Sequence, residues 1–406
     1  MPEPSRQLLQ AVTDRFARWL QAYGETSWDF QTFYASPVGR VAKQLYYKHK
    51  LIGTAAVAPI IFCEAFVPSA RRFFFIKQRF PIGDAHYAMA FASRFAVTGD
   101  EADYRRAVHF LEVLLDTRCA TPTGYGWGYP FDWEGIDHTV PAGTPLITTL
   151  PYVYEAFSQV YAIDRQERWL TVMREIAEHA YHDYRDFPTS ANAASAAYTS
   201  RPDAPGMVVN ASAYRAFLLT KAAHELGEDS YLAKARRNMH FVMEVQYPNG
   251  SWPYSTGGKR PFIDHFHTCF VLKALAKIDR LDPSSGCRPA LERGVQYYTT
   301  DLFDANGLPK PFAKPPRLIV YRRELYDYAE SINLMTLLRG QFPHLDRRWT
   351  TVVGDIVTRW QRSDGSFRSR QLYVGWDNVP MHRWAQAQTF RGLCAWIAAD
   401  VARASA

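Results

Sequence analysis

The feature that most constrains this chain is a repeat of apolar helices at a nearly constant spacing. Stretches rich in small and large apolar residues begin near Asp84, Leu146, Val208, Asp264, Leu325 and His382, so that consecutive starts are 62, 62, 56, 61 and 57 residues apart. A regular period of this size is the sequence signature of a repeat architecture. Because each stretch is apolar over most of its circumference, we predict that all six are inner helices.

More amphipathic helices alternate with the inner ones. We predict them at residues 6–23, 101–115, 164–184, 229–245, 289–300 and 346–360, each with charges along one face. Six inner and six outer helices close a ring, which we favour over an open solenoid of helix pairs. The inner-to-outer connections are short and polar, whereas the outer-to-inner ones are long and rich in Gly and aromatic residues. The pattern therefore predicts an all-α barrel with its long loops, and its ligand contacts, on one rim.

The N-terminal region departs from the repeat. Residues 1–82 are predicted to supply the first outer helix and an irregular, aromatic connection that belongs to the same single domain as residues 83–406. Within this connection, residues 51–68 form a long apolar run of borderline length for a bilayer span, interrupted by Pro59 and Glu64. The run predicts a buried or interfacial helix, and region 51–80 is a candidate for peripheral membrane contact.

Composition narrows the class of partner. The formal net charge of +7 comes without a long Lys or Arg block, so nucleic-acid binding is not predicted. Five cysteines without a CxxC pair, and an N-terminus without a secretory apolar core, predict reduced thiols and a cytoplasmic location. No cofactor and no metal are predicted, because the run Asp264 to Cys269 lacks the spacing of a zinc site. The oligomeric state stays open.

The helical hairpins at intervals of about 60 residues, with Gly-x-Trp loops between them, resemble the (α/α)6-toroid, or six-hairpin glycosidase-like, superfamily. Within it the chain looks most like bacterial toroid proteins linked to polysaccharide biosynthesis. The resemblance covers nearly all of the chain past Gly83, with loose motifs. It implies the fold and a carbohydrate substrate, and it leaves the chemistry open.

The first candidate loop covers residues 124–138, between the second outer helix and its inner partner. Trp127, Tyr129 and Trp133 offer faces on which a sugar could stack. Asp132 and Glu134, with Asp137 beside them, add carboxylates that could bond the hydroxyl groups of the same sugar. The alternative is a loop whose rings pack on the rim and whose acids face water.

The second candidate runs from Gln246 to Phe270 and contains Trp252, Asp264, His265 and His267. Asp264 stands where it would cap the next helix, and capping alone would explain it. Residues three or four apart share a helix face, so His267 should lie with Phe270 while His265 points elsewhere. Asn210 and Tyr214, at the start of the third inner helix, are predicted to line the same barrel, with N-capping as the alternative for Asn210.

The third candidate is the start of the fifth inner helix, with Asp327, Tyr328 and Glu330. Aligned by the repeat, Asp327 falls near Asp264 and Glu330 near His267. Glu330 lies in an otherwise apolar helix, where burial would raise its pKa and suit it to general acid catalysis. An ion pair with Arg322 or Arg323 is the alternative.

The fourth candidate precedes the last inner helix and contains Trp376, Asp377, His382, Arg383 and Trp384. An Arg between aromatic rings would suit a sugar that bears a carboxylate. The pair of Asp377 and Arg383 could equally tie the loop down.

These residues predict a carbohydrate-active protein, acting on a bacterial poly- or oligosaccharide that could be acidic, and serving polysaccharide biosynthesis. Glycoside hydrolysis is favoured, with Asp132 or Glu134 opposite Glu330 or Asp327 and with Asp264 as a further catalytic candidate. The alternatives are epimerisation or β-elimination through the histidines and Tyr328, a non-catalytic glycan-binding toroid, and, with least support, a terpenoid-cyclase-like protein suggested by Gln followed by Gly-Ser-Trp.

Overall fold

The structure is a computed structural model that describes residues 4–136, 138–258, 260–315 and 319–405. Asp137 lies outside these residues. Six helices form an inner ring: α6 (Pro81–Thr98), α8 (Leu150–Asp164), α10 (Val209–Leu226), α12 (His265–Leu281), α14 (Leu325–Leu337) and α16 (Ala387–Ser405). Each packs on the next, and α16 packs on both α14 and α6, so the inner ring is closed.

Six outer helices surround the inner ring. They are α1 (Arg6–Tyr23), α7 (Glu101–Asp116), α9 (Glu167–His182), α11 (Ser230–Glu244), α13 (Arg288–Asp301) and α15 (Pro343–Asp355). Each contacts an inner helix through its apolar stripe, as Leu9, Val12 and Phe16 do in α1. The predicted all-α barrel of six inner and six outer helices is thus confirmed, with helix starts displaced by a few residues.

Small antiparallel sheets decorate the long outer-to-inner loops. Three of them have two strands: β1 (Trp133–Glu134) pairs with β2 (Thr139–Val140), β3 (Asp186–Pro188) with β4 (Ala194–Ala196), and β5 (Ile263–Asp264) with β6 (Phe312–Lys314). The fourth has three strands, with β8 (Arg370–Leu372) between β7 (Tyr321–Glu324) and β9 (Trp376–Asp377). These pairs fix the positions of loops that would otherwise be long and irregular, and so make the rim a defined surface.

The Gly-Ser-Trp turn and its Gly-Ser-Phe counterpart join neighbouring outer helices. Gln246 donates from its amide nitrogen to the carbonyl of Gly250, 3.0 Å away, and to that of Ala290 in α13, 2.9 Å away, and its amide oxygen accepts from Arg293. Gly250 has φ +90°, and a Cβ there would come within 2.3 Å of the Arg293 carbonyl oxygen. Only glycine fits so close a backbone approach.

The same arrangement closes the ring between α15 and α1. Gln361 donates to the carbonyls of Gly365 and Val12 and accepts from Arg15, and a Cβ at Gly365 (φ +96°) would meet the Arg15 carbonyl oxygen at 2.5 Å. The likeness to terpenoid-cyclase repeats therefore has an architectural explanation.

Residues 24–80 were expected to be an irregular connection apart from one helix over residues 51–68; that helix is present, and the rest of the region is more helical than expected. The region contains α2 (Thr32–Ala35), α3 (Pro37–Lys48), α4 (Lys50–Phe66) and α5 (Arg71–Phe74). We call residues 32–77 the helical cap. Its interior is a separate small core formed by Phe33, Tyr34, Ala42, Val57 and Ile60. Within the described chain no single helix is long and apolar enough to cross a membrane, although Lys50–Phe66 and Pro68–Phe74, bent by 117°, would meet the length and composition criteria together.

Candidate functional site

Aromatic rings line the rim at the N-terminal ends of the inner helices. Tyr254 stacks on Phe262 at 4.8 Å between ring centroids, and Trp384 stacks on Tyr326 at 5.2 Å. Phe266 lies 5.0 Å from Tyr326. The set, which we call the aromatic mouth, consists of Tyr129, Trp133, Tyr198, Tyr254, Phe262, Phe266, Tyr326 and Trp384.

Most of these rings are only half-buried, so the mouth presents aromatic faces to solvent. Such a surface with a few polar groups among the rings is the usual form of a site for sugars and other flat-faced ligands. Tyr129, Trp133 and Trp384 were expected here. Tyr198, Phe262, Phe266 and Tyr326 were not, although their alternation with polar residues in loops and first turns was a usable signal.

Asp264 and His267 form a dyad at the start of α12. Asp264 Oδ1 accepts from the His267 backbone N–H at 3.0 Å, which caps the helix, and Oδ2 lies 2.6 Å from His267 Nδ1. The carboxylate can only accept, so the imidazole proton belongs on Nδ1 and the Nε2 lone pair stays free. Nε2 has no hydrogen-bond partner among the described residues, and the side chain is 20% exposed. This is the arrangement of an oriented general base.

His267 faces the aromatic mouth. Its ring packs against Tyr254 at 4.6 Å and Phe266 at 4.4 Å. A narrow cavity of about 10 Å³ beside it is lined by Asn210, Trp252 and Tyr254, among others. The buried Asn210 Oδ1 has no partner in the described structure, so the cavity has room and an acceptor for about one water molecule.

Below the mouth, charged and hydroxyl side chains fill the barrel. Lys273 Nζ lies 2.5 Å from Glu330 Oε2 and donates to the Tyr152 hydroxyl at 3.1 Å. The Tyr152 and Tyr214 hydroxyls are 2.6 Å apart. Burial, and next the Glu330 charge, raise the pKa of Tyr152 to about 12. We call Lys273, Glu330, Tyr152 and Tyr214 the barrel floor. Glu330 is thus paired with Lys273, not with Arg322 or Arg323.

A second layer of charged side chains lies one helical turn further from the mouth than the barrel floor. Lys277 bonds Glu155 at 2.6 Å, and Arg391 reaches both Glu155 and His86. Burial would raise the pKa of Glu155, but the neighbouring Lys277 and Arg391 charges outweigh it and bring the pKa down to about 2. Burial lowers the pKa of Lys277 to about 8 despite its carboxylate partner. These groups were not predicted, yet a Lys within an apolar inner helix is a signal that could have found Lys273 and Lys277.

Asp327 is a buried acid at the start of α14. Burial raises its pKa well above the usual range, and the nearby carboxylates of Glu324 and Asp264 raise it further. Its Oδ1 has no hydrogen-bond partner among the described residues. Glu324, by contrast, accepts from Arg370 at 2.9 Å. The environment therefore favours the protonated form of Asp327.

The acids of the first loop are held by the helical cap. Arg40 in α3 lies 2.5 Å from Asp132 Oδ2 and donates from Nε to Glu134 at 2.9 Å. Burial acts to raise the pKa of Glu134, but hydrogen bonds from Thr139 and Arg40 outweigh it and lower the pKa. Both carboxylates thus have a charged partner 92 to 94 positions away in sequence.

The last loop is tied down in a similar way. Asp377 and Arg71 form an ion pair at 2.6 Å, with both side chains fully buried. Arg383 binds Asp29 through two N–H groups, at 3.0 and 2.6 Å, and lies over the rings of Tyr129 and Trp384. Its Nη1 has no partner among the described residues. This supports the reading in which the Arg ties the loop, although its partner is Asp29 and not Asp377.

Several candidates are buried in the framework of the barrel. The indole N–H groups of Trp127 and Trp252 donate to carbonyls of the preceding outer helices, those of Leu114 and Val242. Both side chains are buried, as is Tyr328 against Trp360. We assign these three to the framework.

The two other candidate histidines, His265 and His382, have hydrogen-bond partners on both ring nitrogens. His265 contacts the carbonyls of Leu302 and Lys310 through Nδ1 and two hydroxyls through Nε2, as predicted pointing away from His267. His382 contacts the Tyr87 hydroxyl and the Gly24 carbonyl. Trp376 packs on Trp360 at 5.1 Å. None of these three offers a group to a ligand in the mouth.

Comparison with known proteins identifies the architecture. No family model and no curated protein matches the chain. A cellobiose 2-epimerase from Bacillus thermoamylovorans matches with a TM-score of 0.60 at 10% identity, over 79% of this chain and 87% of that one.

Two further solved structures are similar. A GH76 alpha-mannanase from Bacteroides thetaiotaomicron matches with a TM-score of 0.60 at 9% identity, over 80% and 87% of the two chains. A glycosyl hydrolase family 88 protein from Bacteroides vulgatus gives 0.55 at 11%, over 79% and 91%. The predicted (α/α)6 toroid is confirmed as the fold, and identities this low show the fold alone.

Proposed function

We propose that this protein binds a carbohydrate in the aromatic mouth and moves a proton on it, with His267 as the base. The observation that carries the proposal is the Asp264–His267 dyad, whose free Nε2 lies among half-exposed rings. Abstraction of a proton next to a sugar carbonyl or carboxylate is the first step of epimerisation and of β-elimination, and both need a positioned base. The structural similarity to a cellobiose 2-epimerase is compatible with this choice.

The geometry supports the favoured hydrolysis less well. Inverting or retaining hydrolysis needs one protonated acid and one carboxylate on opposite sides of the scissile bond. Of the acids expected in these roles, Asp132 and Glu134 are bound by Arg40 and Glu330 is paired with Lys273. Asp327 is the exception, since its raised pKa suits a general acid. Hydrolysis with Asp327 as the acid is therefore the second candidate, and the GH76 and GH88 neighbours are compatible with it.

A screen in D2O separates these reactions. Purified protein is incubated with neutral and acidic bacterial oligosaccharides, and solvent deuterium in recovered sugar, unsaturated products and new reducing ends are measured together. Deuterium incorporation or unsaturated products are expected. New reducing ends with neither deuterium nor unsaturated products would move the assignment to hydrolysis, and binding without any product would leave a glycan-binding toroid.

Variants of the dyad test the residue assignment. His267→Gln is expected to lower turnover by about 10² to 10⁴, the usual contribution of a general base. Asp264→Asn should lower it through loss of the correct tautomer, while thermal melting shows the cost of the weakened helix cap. His224→Gln, at an exposed position of α10, is the matched control. Unchanged deuterium incorporation in His267→Gln would contradict the proposal. A role in polysaccharide biosynthesis, an acidic substrate and a cytoplasmic location stay predictions.

A further inference from the structure

The helical cap carries most of the exposed apolar surface of the described chain. Thirteen large hydrophobic side chains are exposed among the described residues, and nine of them lie in the cap. The nine are Val38, Val41, Leu51, Ile52, Phe62, Phe66, Val67, Phe73 and Ile76, with Leu51 89% and Phe73 77% exposed. A concentration of this kind marks an interaction surface.

Helix α4 divides into two faces. Gly53, Val57, Ile60 and Glu64, spaced by four, three and four residues, are buried on the rest of the cap. The opposite face carries apolar side chains at both ends, including Leu51 and Phe66, and no charged residue between Lys50 and Glu64. Because Glu64 turns inward, 7% exposed and close to Arg370, the outward face of the helix is uncharged from Leu51 to Phe66.

The cap also holds almost all of the net positive charge. Residues 32–77 contain seven Lys and Arg and a single acid, Glu64, a net charge of +6. The remaining chain has 40 Lys and Arg against 39 Asp and Glu, a net charge of +1. Lys48, Lys50 and Arg72 are exposed at the two ends of the apolar face, and Arg72 stacks on Phe73 at 4.7 Å.

We infer that the cap docks on an anionic membrane surface. An apolar helix face flanked by cations, with aromatic side chains beside them, is the pattern of a helix that lies in the lipid interface. Anionic headgroups would pair with the exposed cations while the apolar side chains enter the acyl boundary. A second copy of the chain fits worse, because two caps placed face to face would bring the exposed Lys48, Lys50 and Arg72 of each against those of the other, and the cap has no exposed acid to compensate.

The cap is rigidly joined to the mouth. Arg40 binds the first rim loop through Asp132 and Glu134, and Arg71 binds the last one through Asp377. Docking of the cap would therefore fix the orientation of the aromatic mouth relative to the membrane. This orientation does not depend on which reaction the mouth performs, and the docking is tested without any sugar.

Vesicle flotation tests the inference. The full-length protein is mixed with vesicles of phosphatidylcholine or of phosphatidylcholine with about one third phosphatidylglycerol, at low and high salt. Flotation is expected with the anionic vesicles and should weaken as salt increases, because screening acts on the exposed cations. Failure to float with anionic vesicles at low salt would overturn the inference.

Three sets of variants make the test specific. Phe62→Ser with Phe66→Ser is expected to weaken partitioning at least about tenfold. Removal of three charges, by Lys48→Gln, Lys50→Gln and Arg72→Gln, should weaken partitioning about a hundredfold, or roughly fivefold per charge. Tyr373→Ser with Val374→Ser is the matched control, since these apolar side chains are exposed outside the cap.

All of the substituted side chains are exposed or at the surface, and circular dichroism melts check that each variant folds. A control that reduces flotation as much as the cap variants would overturn the inference. Sedimentation without lipid tests the alternative, in which a second copy of the chain covers the apolar face. A dimer that Phe62→Ser with Phe66→Ser dissociates would assign the face to a second copy of the chain and would also overturn it.

Discussion

The ion pair in the barrel floor offers a test of how the toroid tolerates charge at its centre. Lys273 and Glu330 are 6% and 0% exposed, and their charged atoms lie 2.5 Å apart. Burial would lower the pKa of Lys273, but the Glu330 charge outweighs it and raises the pKa, so Lys273 is charged at neutral pH. Lys273→Met should therefore leave a buried carboxylate without compensation, at a cost of about 3 to 5 kcal/mol.

The double variant separates the pair from its surroundings. Glu330→Met alone should cost a similar amount, because it leaves the ammonium group unpaired. Lys273→Met with Glu330→Met removes both charges, and it is expected to lie within about 2 kcal/mol of the wild type, so the two single effects are strongly non-additive. Lys221→Met is the control: Lys221 pairs with Glu225 near the surface, and its loss should cost less than about 1 kcal/mol.

Urea unfolding at neutral pH, followed by tryptophan fluorescence, gives these differences from the shift of the midpoint. Additive single effects, or a Lys273→Met cost no larger than that of Lys221→Met, would refute the reasoning. They would mean that water enters the barrel floor and screens the pair.

Two further predictions concern stability. Burial lowers the pKa of His265 to about 3 and of His382 to about 4, below the value of about 6.5 in an unfolded chain. Each neutral histidine should therefore contribute fully to the free energy of unfolding above pH 6.5, and about 3 kcal/mol of that contribution should be lost per histidine when the pH falls to 4. Urea unfolding at several pH values checks this, and His382→Gln should make the free energy of unfolding depend less on pH. Gly365→Ala should destabilise the ring closure by about 2 to 4 kcal/mol, because of its positive φ and the contact with α1, whereas Gly375→Ala, with positive φ but open space around it, should cost only about 1 kcal/mol in thermal melts.

The fold could be predicted from the sequence because the apolar pattern that produces it is periodic. Inner helices must be apolar all round and outer helices along one stripe, so each leaves a pattern that recurs about every 60 residues. In the helical cap, α4 matches the apolar helix predicted over residues 51–68, whereas α3 was missed because the cap occurs once and no second copy reinforces its pattern.

The site was less accessible, because partners distant in sequence decide what each side chain can do. Asp132 looked like a catalytic acid until Arg40, 92 positions earlier, was seen to bind it. Trp252 looked like a stacking platform, but its indole is buried and bonded to the α11 carbonyl of Val242. A turn signal before a Trp predicts that the Trp lies in a loop, but it does not predict whether the indole ring packs into the core or faces solvent.

The strongest evidence for chemistry in a repeat protein is a place where one repeat differs from the others. In the described chain, only α12 among the inner helices α6, α8, α10, α12 and α14 has a first turn capped by a side chain; the residues before the other four make no such bond. If capping were needed for stability, the other inner helices would need it as well. Glu324, which precedes α14 and has a carboxylate of its own, accepts from Arg370 instead. The carboxylate of Asp264 is therefore better explained by the histidine that it orients than by the helix that it begins.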